Sequence, residues 1–332
     1  MKTIKVGIFR TGERLDQALN SALNAAEWNK YVHGKVFLKP NICAVEYIPG
    51  AVTNPELLFH LVSFLRDRVE EVVVGDSDGY NYSFDEALTK TGVEQIVKKA
   101  GGKTINLSKD KSVTVQNPNG LFLRRILLPR SLVEADSIIS VPVMKTHEFT
   151  MFSGAIKNLF GCIPNNRRIY LHPHIKSVLY DLITLLKPKF AIMDATVAME
   201  GNGPNRGISI PMEVVLAGSD LLVIDKISAE IMDINWENIG YLSFIDSHLP
   251  QEEAITRIMG ETVDSLKRKF TIPYQDLAVK AQLRVYQSSL LTQLCFGTPI
   301  LSVLQACLKV YRRINREIKG KAWTEKYWQN PD

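Results

Sequence analysis

Short runs of continuous apolar residues, rich in Val and Ile, alternate with longer segments whose apolar positions recur at helical spacing. The runs are TIKVGIF (3–9), GKVFLKP (34–40), EEVVVGD (70–76), KTINLSK (103–109), DSIISVPVM (136–144) and KFAIMDA (189–195). Unbroken hydrophobicity over so few residues marks strands buried on both faces, as in a parallel sheet. Segments 12–28, 55–68, 84–100 and 174–186 are predicted helices, which completes a β-α-β rhythm. Asn54-Pro55-Glu56 reads as a capped helix start and Gly101-Gly102 as a helix end. Residues 112–130 alternate more and contain Asn117-Pro118-Asn119-Gly120, predicting an inserted hairpin. Beyond residue 250 the pattern turns mostly helical. The expected fold is therefore α/β: a layered, mainly parallel sheet flanked by helices (1–250), with an inserted hairpin and a basic helical C-terminal extension (251–332).

The chain has 332 residues, 45% hydrophobic and 23% charged, enough for a large core without staples. Its net charge of +5 is unevenly spread: residues 265–332 hold twelve Lys or Arg against four Asp or Glu. Such a tail suits an anionic partner, a lipid surface or an acidic protein before nucleic acid, as well as a plain solvated helical face. The apolar stretch from Leu290 to Leu308 is interrupted by Thr292, Gln293, Gly297, Pro299 and Gln305, so an interfacial or core helix is expected rather than a membrane span. Cys43, Cys162, Cys295 and Cys307 form no C-x-x-C pair, which excludes a zinc ribbon or an internal iron–sulfur cluster. The N-terminus shows no apolar signal core. A cytoplasmic setting is expected, with peripheral membrane contact through the extension.

Ligands of open parallel sheets bind beyond the carboxyl ends of the strands. Four consecutive exits there end in charge: Lys39-Pro40-Asn41, Asp76-Ser77-Asp78-Gly79, Lys145-Thr146-His147, and Asp194 with Glu200-Gly201-Asn202 beyond. Lys39 and Lys145 suit a phosphate or carboxylate, whereas Asp76, Asp78 and Asp194 suit a divalent cation or sugar hydroxyls; the alternative for Asp76 and Asp194 is that they simply cap the segments that follow. In Ser153-Gly154-Ala155-Ile156-Lys157-Asn158 small residues precede a lysine and an amide, a composition that lets backbone approach a ligand. Neither a Walker A loop nor a G-x-G-x-x-G motif occurs. His147, His172 and His174 lie close in sequence. An extended His172-Pro173-His174 would direct both rings to one side as metal ligands, and His147 is equally suited to acid–base work. Cys162 adjoins the loop as a reactive thiol or a small buried hydrophobe.

FLKPN, AVTNPELL, VVVGDSDG, ISVPVMKTHEFTMFSGAIKNLFG, DATVAMEGNGP and LAGSDLLVIDKISAEIMD occur in an order that resembles the domain-of-unknown-function 362 family over residues 3–245. That resemblance implies a redox-associated protein, often with a C-terminal ferredoxin module. This chain lacks the module's cysteines, so any iron–sulfur cluster would belong to a ferredoxin-like partner. A local stretch, His147, Ser153-Gly154, Lys157, Gly161 and His172, is similar to the nickel-dependent lactate racemase family, although Ala155-Ile156 departs from the Gly-Gly-Arg pattern. The likeness implies that Lys157 carries a nickel-pincer nucleotide and His172 ligates the metal.

Two readings follow. One is an enzyme that binds a small anionic or nucleotide-like ligand through Lys39, Lys145 and Lys157, aided by Asn41, Ser153, Gly154, Asn158 and Glu200. In it His147 and Lys157 are catalytic, and a divalent metal or nucleotide-derived cofactor takes part. The other is a non-catalytic protein docked to an anionic membrane or another subunit by its basic helices.

Overall fold

The computed structural model describes residues 2–164, 166–250, 253–274 and 277–298. It forms two compact units. Among the described residues, the first comprises those up to Arg168 and His174–Pro273, and the second Ile169–Pro173 with those from Tyr274 to Thr298.

The first unit is built on twelve strands among the described residues: β1 (Lys2–Arg10), β2 (Lys35–Pro40), β3 (Glu71–Asp76), β4 (Lys103–Asn106), β5 (Ser112–Gln116), β6 (Arg125–Pro129), β7 (Ser137–Val141), β8 (Val143–His147), β9 (Met151–Ser153), β10 (Phe190–Glu200), β11 (Ile208–Gly218) and β12 (Ala254–Gly260). The main sheet runs β12-β1-β11-β10-β7-β2-β3-β4, with β8 and β9 attached beside β10. Along that path only β11 is antiparallel to its neighbours. The strands predicted near 3–9, 34–40, 70–76, 103–109, 136–144 and 189–195 are all present, and β5 and β6 form the inserted hairpin.

Alternation along the strands sorts the core into two layers. Val36, Leu38, Val72, Val74, Ile139 and Val141 join Leu19, Leu23, Leu58, Leu61 and Val97 of helices Leu15–Ala25, Pro55–Leu65 and Val93–Ala100 in one cluster. Phe37 and Lys39 point to the opposite face. There a helical turn, Ala155–Asn158, is followed in sequence by helices Ile175–Leu186, Leu221–Ile231 and Gly240–His248.

Several boundaries differ from the sequence expectation. The helix over 84–100 is two, Phe84–Lys90 and Val93–Ala100, because Gly92 takes a φ of 75° between them. The run 136–144 breaks at Pro142, which has no N–H to donate to a ladder. Residues 208–218 form β11, missed because its outer half alternates with exposed positions. The stretch beyond 250, expected to be helical, contributes edge strand β12, in which every residue is exposed; without a buried face it has no apolar signature. In the second unit Leu277–Gln287 and Ser289–Gly297 are helical as expected. The rest of the apolar stretch to Leu308, and Arg312, Arg313, Arg316 and Lys319, lie outside the described residues. No helix among the described residues is long and apolar enough to cross a membrane.

Candidate functional site

The chain passes from β2 to β3 and β4 on one side, then returns to β7 and β10 on the other. The strand order therefore reverses between β2 and β7, and beyond the carboxyl ends of such a pair an open crevice forms. The sequence puts its buried polar residues at this point.

Lys39, only 1% exposed, turns its ammonium to the carboxylate of Asp76 at the end of β3, with Nζ to Oδ2 at 2.7 Å. It also donates to the Pro40 carbonyl (2.6 Å) and to Oδ1 of Asn158 (3.3 Å). Asp76 accepts in addition from the backbone N–H groups of Ser77 and Ile42. Asn158 ties the two strands together, since its Nδ2 donates to the Lys39 carbonyl at 2.7 Å and to Oγ of Ser140 in β7 at 3.1 Å. Gly161 lies against the ion pair: a Cβ there would meet Asp76 Oδ1 at 2.5 Å and Lys39 Nζ at 2.8 Å. A side chain at that position would have to displace the ion pair. Arg168 extends the cluster by donating to Ser77 Oγ at 2.7 Å and to the Ile163 carbonyl at 3.1 Å.

Lys145, in β8, is equally buried. Its ammonium donates to the carbonyls of Ala51 (2.7 Å) and Pro204 (3.2 Å) and to Sγ of Cys43 (3.4 Å). Burial pushes its pKa down, and Lys39 adds to that effect. Ser153 is its cross-strand neighbour, and His147, two residues along β8, falls on the same face. Lys157 is partly buried and makes no hydrogen bond or ion pair among the described residues. Burial, reinforced by the charges of Lys145 and then Arg168, pushes its amine down to about 7. Three lysines and an arginine thus share a confined region with one carboxylate, Asp76. The cluster carries an excess of positive charge that a bound anion would neutralise.

The remaining candidates have partners of their own. Asp78 accepts from Phe84 N (2.7 Å) and Asn106 Nδ2 (2.9 Å), shaping its own loop. Asp194 accepts from Asn54 N (2.7 Å) and from both N–H and hydroxyl of Thr196; burial raises its pKa against those bonds. Glu200 binds Thr271 through its backbone N–H and hydroxyl. Asn41 bonds Thr53 Oγ1 and the Ala51 carbonyl. Gly154 sits on Asp225, whose carboxylate accepts from Ala155 N and Ile156 N and so fixes the turn that carries Lys157. Residues 166–174 form a 3-10 segment in place of the extended stretch expected at His172-Pro173-His174. His172 bonds the Ile169 carbonyl and stacks on Tyr286, whereas His174 stacks on Phe122. Among the described residues no group of three or more His, Cys, Asp or Glu is arranged to hold a metal ion. Cys162 is buried with its thiol pushed up to about 12, which fits the small-hydrophobe alternative.

Sequence reasoning missed Cys43 and Arg168. Cys43 is four residues beyond Lys39, within reach of the strand-exit argument; nothing local distinguishes Arg168.

A family model described as domain of unknown function (DUF362) matches residues 36–230. A thylakoid-associated protein, sll1697, from Synechocystis sp. is 22% identical over 210 residues, 60% of this chain; the chain spans 64% of that relative's length. Among solved structures, the lactate racemase apoprotein of Thermoanaerobacterium thermosaccharolyticum matches with a TM-score of 0.44 and 13% identity, over 70% of this chain and 58% of that one. With a family model matching more than half of its length, on the segment that carries the whole cation cluster, the chain belongs to the DUF362 family.

Proposed function

We propose that the cluster at the β2–β7 switch point binds the anionic group, carboxylate or phosphate, of a small molecule, and that Lys157 exchanges a proton with that molecule. One observation carries the reading: Lys157 has no counter-charge among the described residues, although it is partly buried beside Lys145 and Arg168. An anion there relieves the repulsion and gives Lys157 a charge-assisted hydrogen bond. An amine near 7 is present in both forms around neutrality, the condition under which an acid or base is most effective. His147, on the Lys145 face, is the second proton-transfer group of this reading. A nucleotide-derived cofactor would present the same phosphate chemistry.

Titration calorimetry with inorganic phosphate and with succinate tests the reading, in two buffers of different ionisation heat. Binding near pH 8 is expected to take up a proton, because the anion pulls the amine back to its charged form. Lys157→Met should weaken binding by about 2–3 kcal/mol, roughly 30- to 150-fold. Unchanged affinity in the variant, or no binding by the parent chain, overturns it.

A second reading, a membrane-docked partner protein, is favoured by the second unit. Leu290, Leu291 and Leu294 are exposed on one face of helix Ser289–Gly297, while Thr292 and Cys295 turn inward. Lys280 and Arg284 lie on the preceding helix. The thylakoid association in the name of the Synechocystis relative supports it. Sedimentation with anionic vesicles is its test.

A further inference from the structure

Cys43 has no part in the proton exchange described above, yet it lies within the same cluster. Of the three described cysteines, Cys162 and Cys295 are buried and Cys43 is partly exposed. Its sulfur is 3.4 Å from the Lys145 ammonium and within 3.5 Å of the Ala51 and Pro204 carbonyls, the two carbonyls that hold Lys145. Lysine Nζ has three protons, and here they reach two carbonyl oxygens and one sulfur. The sulfur is therefore positioned by a buried cation whose other bonds are fixed. The Lys145 charge also acts on Lys157. A thiol beside a cation is the arrangement that makes cysteine a nucleophile, and a neighbouring amine can accept its proton.

We infer that Cys43 is the nucleophile of this site, directed by Lys145 and the surrounding cations at an electrophilic carbon on a small anionic molecule. This rests on reading the cluster as an anion site. In the step, a bond forms between Sγ and the carbon, the bond to the leaving group breaks with its electron pair on that group, and the thiol proton passes to the Lys157 amine or to water.

Alkylation with iodoacetate and iodoacetamide tests this on the full chain, the label being located by peptide mapping. With either reagent the S–C bond forms as the C–I bond breaks and iodide leaves. An ordinary thiol reacts faster with the neutral reagent. At Cys43 the order is expected to reverse, with iodoacetate faster by about ten-fold at low ionic strength and the advantage falling as salt is added. Inorganic phosphate should slow the reaction, and Lys145→Met should abolish the preference. Since Lys145→Met removes a buried, well-bonded ammonium, the salt and phosphate dependence of the unaltered chain serves as the second measurement. Equal or slower reaction with iodoacetate, or a preference that survives both salt and Lys145→Met, overturns the inference. If calorimetry still shows phosphate binding that needs Lys157, the anion reading stands and only the thiol's role falls.

Discussion

At the scale of single residues, the cluster is a balance between burial and charge. Lys39 offsets its desolvation with Asp76 at 2.7 Å, Lys145 with two carbonyls and a sulfur, and Lys157 with nothing among the described residues. Lys157 is accordingly the group whose protonation works against the fold. Its folded-state pKa of about 7 is below the ordinary 10.5, so between those values the unfolded chain binds more protons and stability rises with pH. Below about 7 the penalty is fully present, and above about 10.5 it has vanished. Lys157→Met is expected to stabilise the protein by about 1–2 kcal/mol at pH 6, discounted for its partial exposure, and by little near pH 10. Thermal unfolding across that range measures it; a variant less stable than the parent at pH 6 would mean that Lys157 has a counter-charge. The same substitution that weakens ligand binding is thus expected to strengthen the fold, as at sites where function opposes stability.

At the scale of elements, buried carboxylates position what the backbone alone would leave loose. Asp225, from helix Leu221–Ile231, caps the turn bearing Lys157, and Asp194 holds the start of helix Pro55–Leu65 by the Asn54 N–H. Asp181, fully buried in helix Ile175–Leu186, accepts from the backbone N–H groups of Leu121, Phe122 and Leu123 at 2.7, 2.8 and 2.6 Å. Three backbone donors, that of Leu123 buried, depend on that one carboxylate. Asp181→Ala is expected to destabilise the protein by roughly 3 kcal/mol and to speed amide exchange in 117–124 at least ten-fold, with β2, β3 and β7 little changed. Equal loss of protection in those strands would mean that the hairpin and the sheet unfold together.

At the scale of the whole molecule, the two units offer separate chemistries. The first gathers buried cations at a reversal of strand order, and the second presents exposed leucines in a region whose sequence carries an excess of positive charge. Apolar insertion and attraction to anionic headgroups reinforce each other. The full chain is expected to sediment with vesicles rich in anionic lipid and to leave them as salt rises. Leu290→Ser with Leu294→Ser should lower the bound fraction several-fold, leaving phosphate binding unchanged. Absence of sedimentation with anionic vesicles would remove the membrane reading.

The sequence by itself determined the alternation of strand and helix, the parallel character of the sheet and the inserted hairpin, because each rests on periodicity or turn chemistry within a few residues. It also singled out Lys39, Asp76 and Lys145, since polar residues that end a buried apolar run stand out locally; Lys39 and Asp76 lie at the ends of their strands, whereas Lys145 lies inside β8. Edge strand β12 and the reversed β11 were illegible, the one for want of a buried face and the other because half of it alternates. The three-dimensional fold alone brings Asn158 to Lys39 across 119 residues and gives Cys43 its hydrogen bond from Lys145. It likewise gave Asp78, Asp194 and Glu200 backbone partners of their own. The reason is physical: propensity and pattern act along the chain, whereas the pairing of buried charges is settled by which strand ends the fold brings side by side.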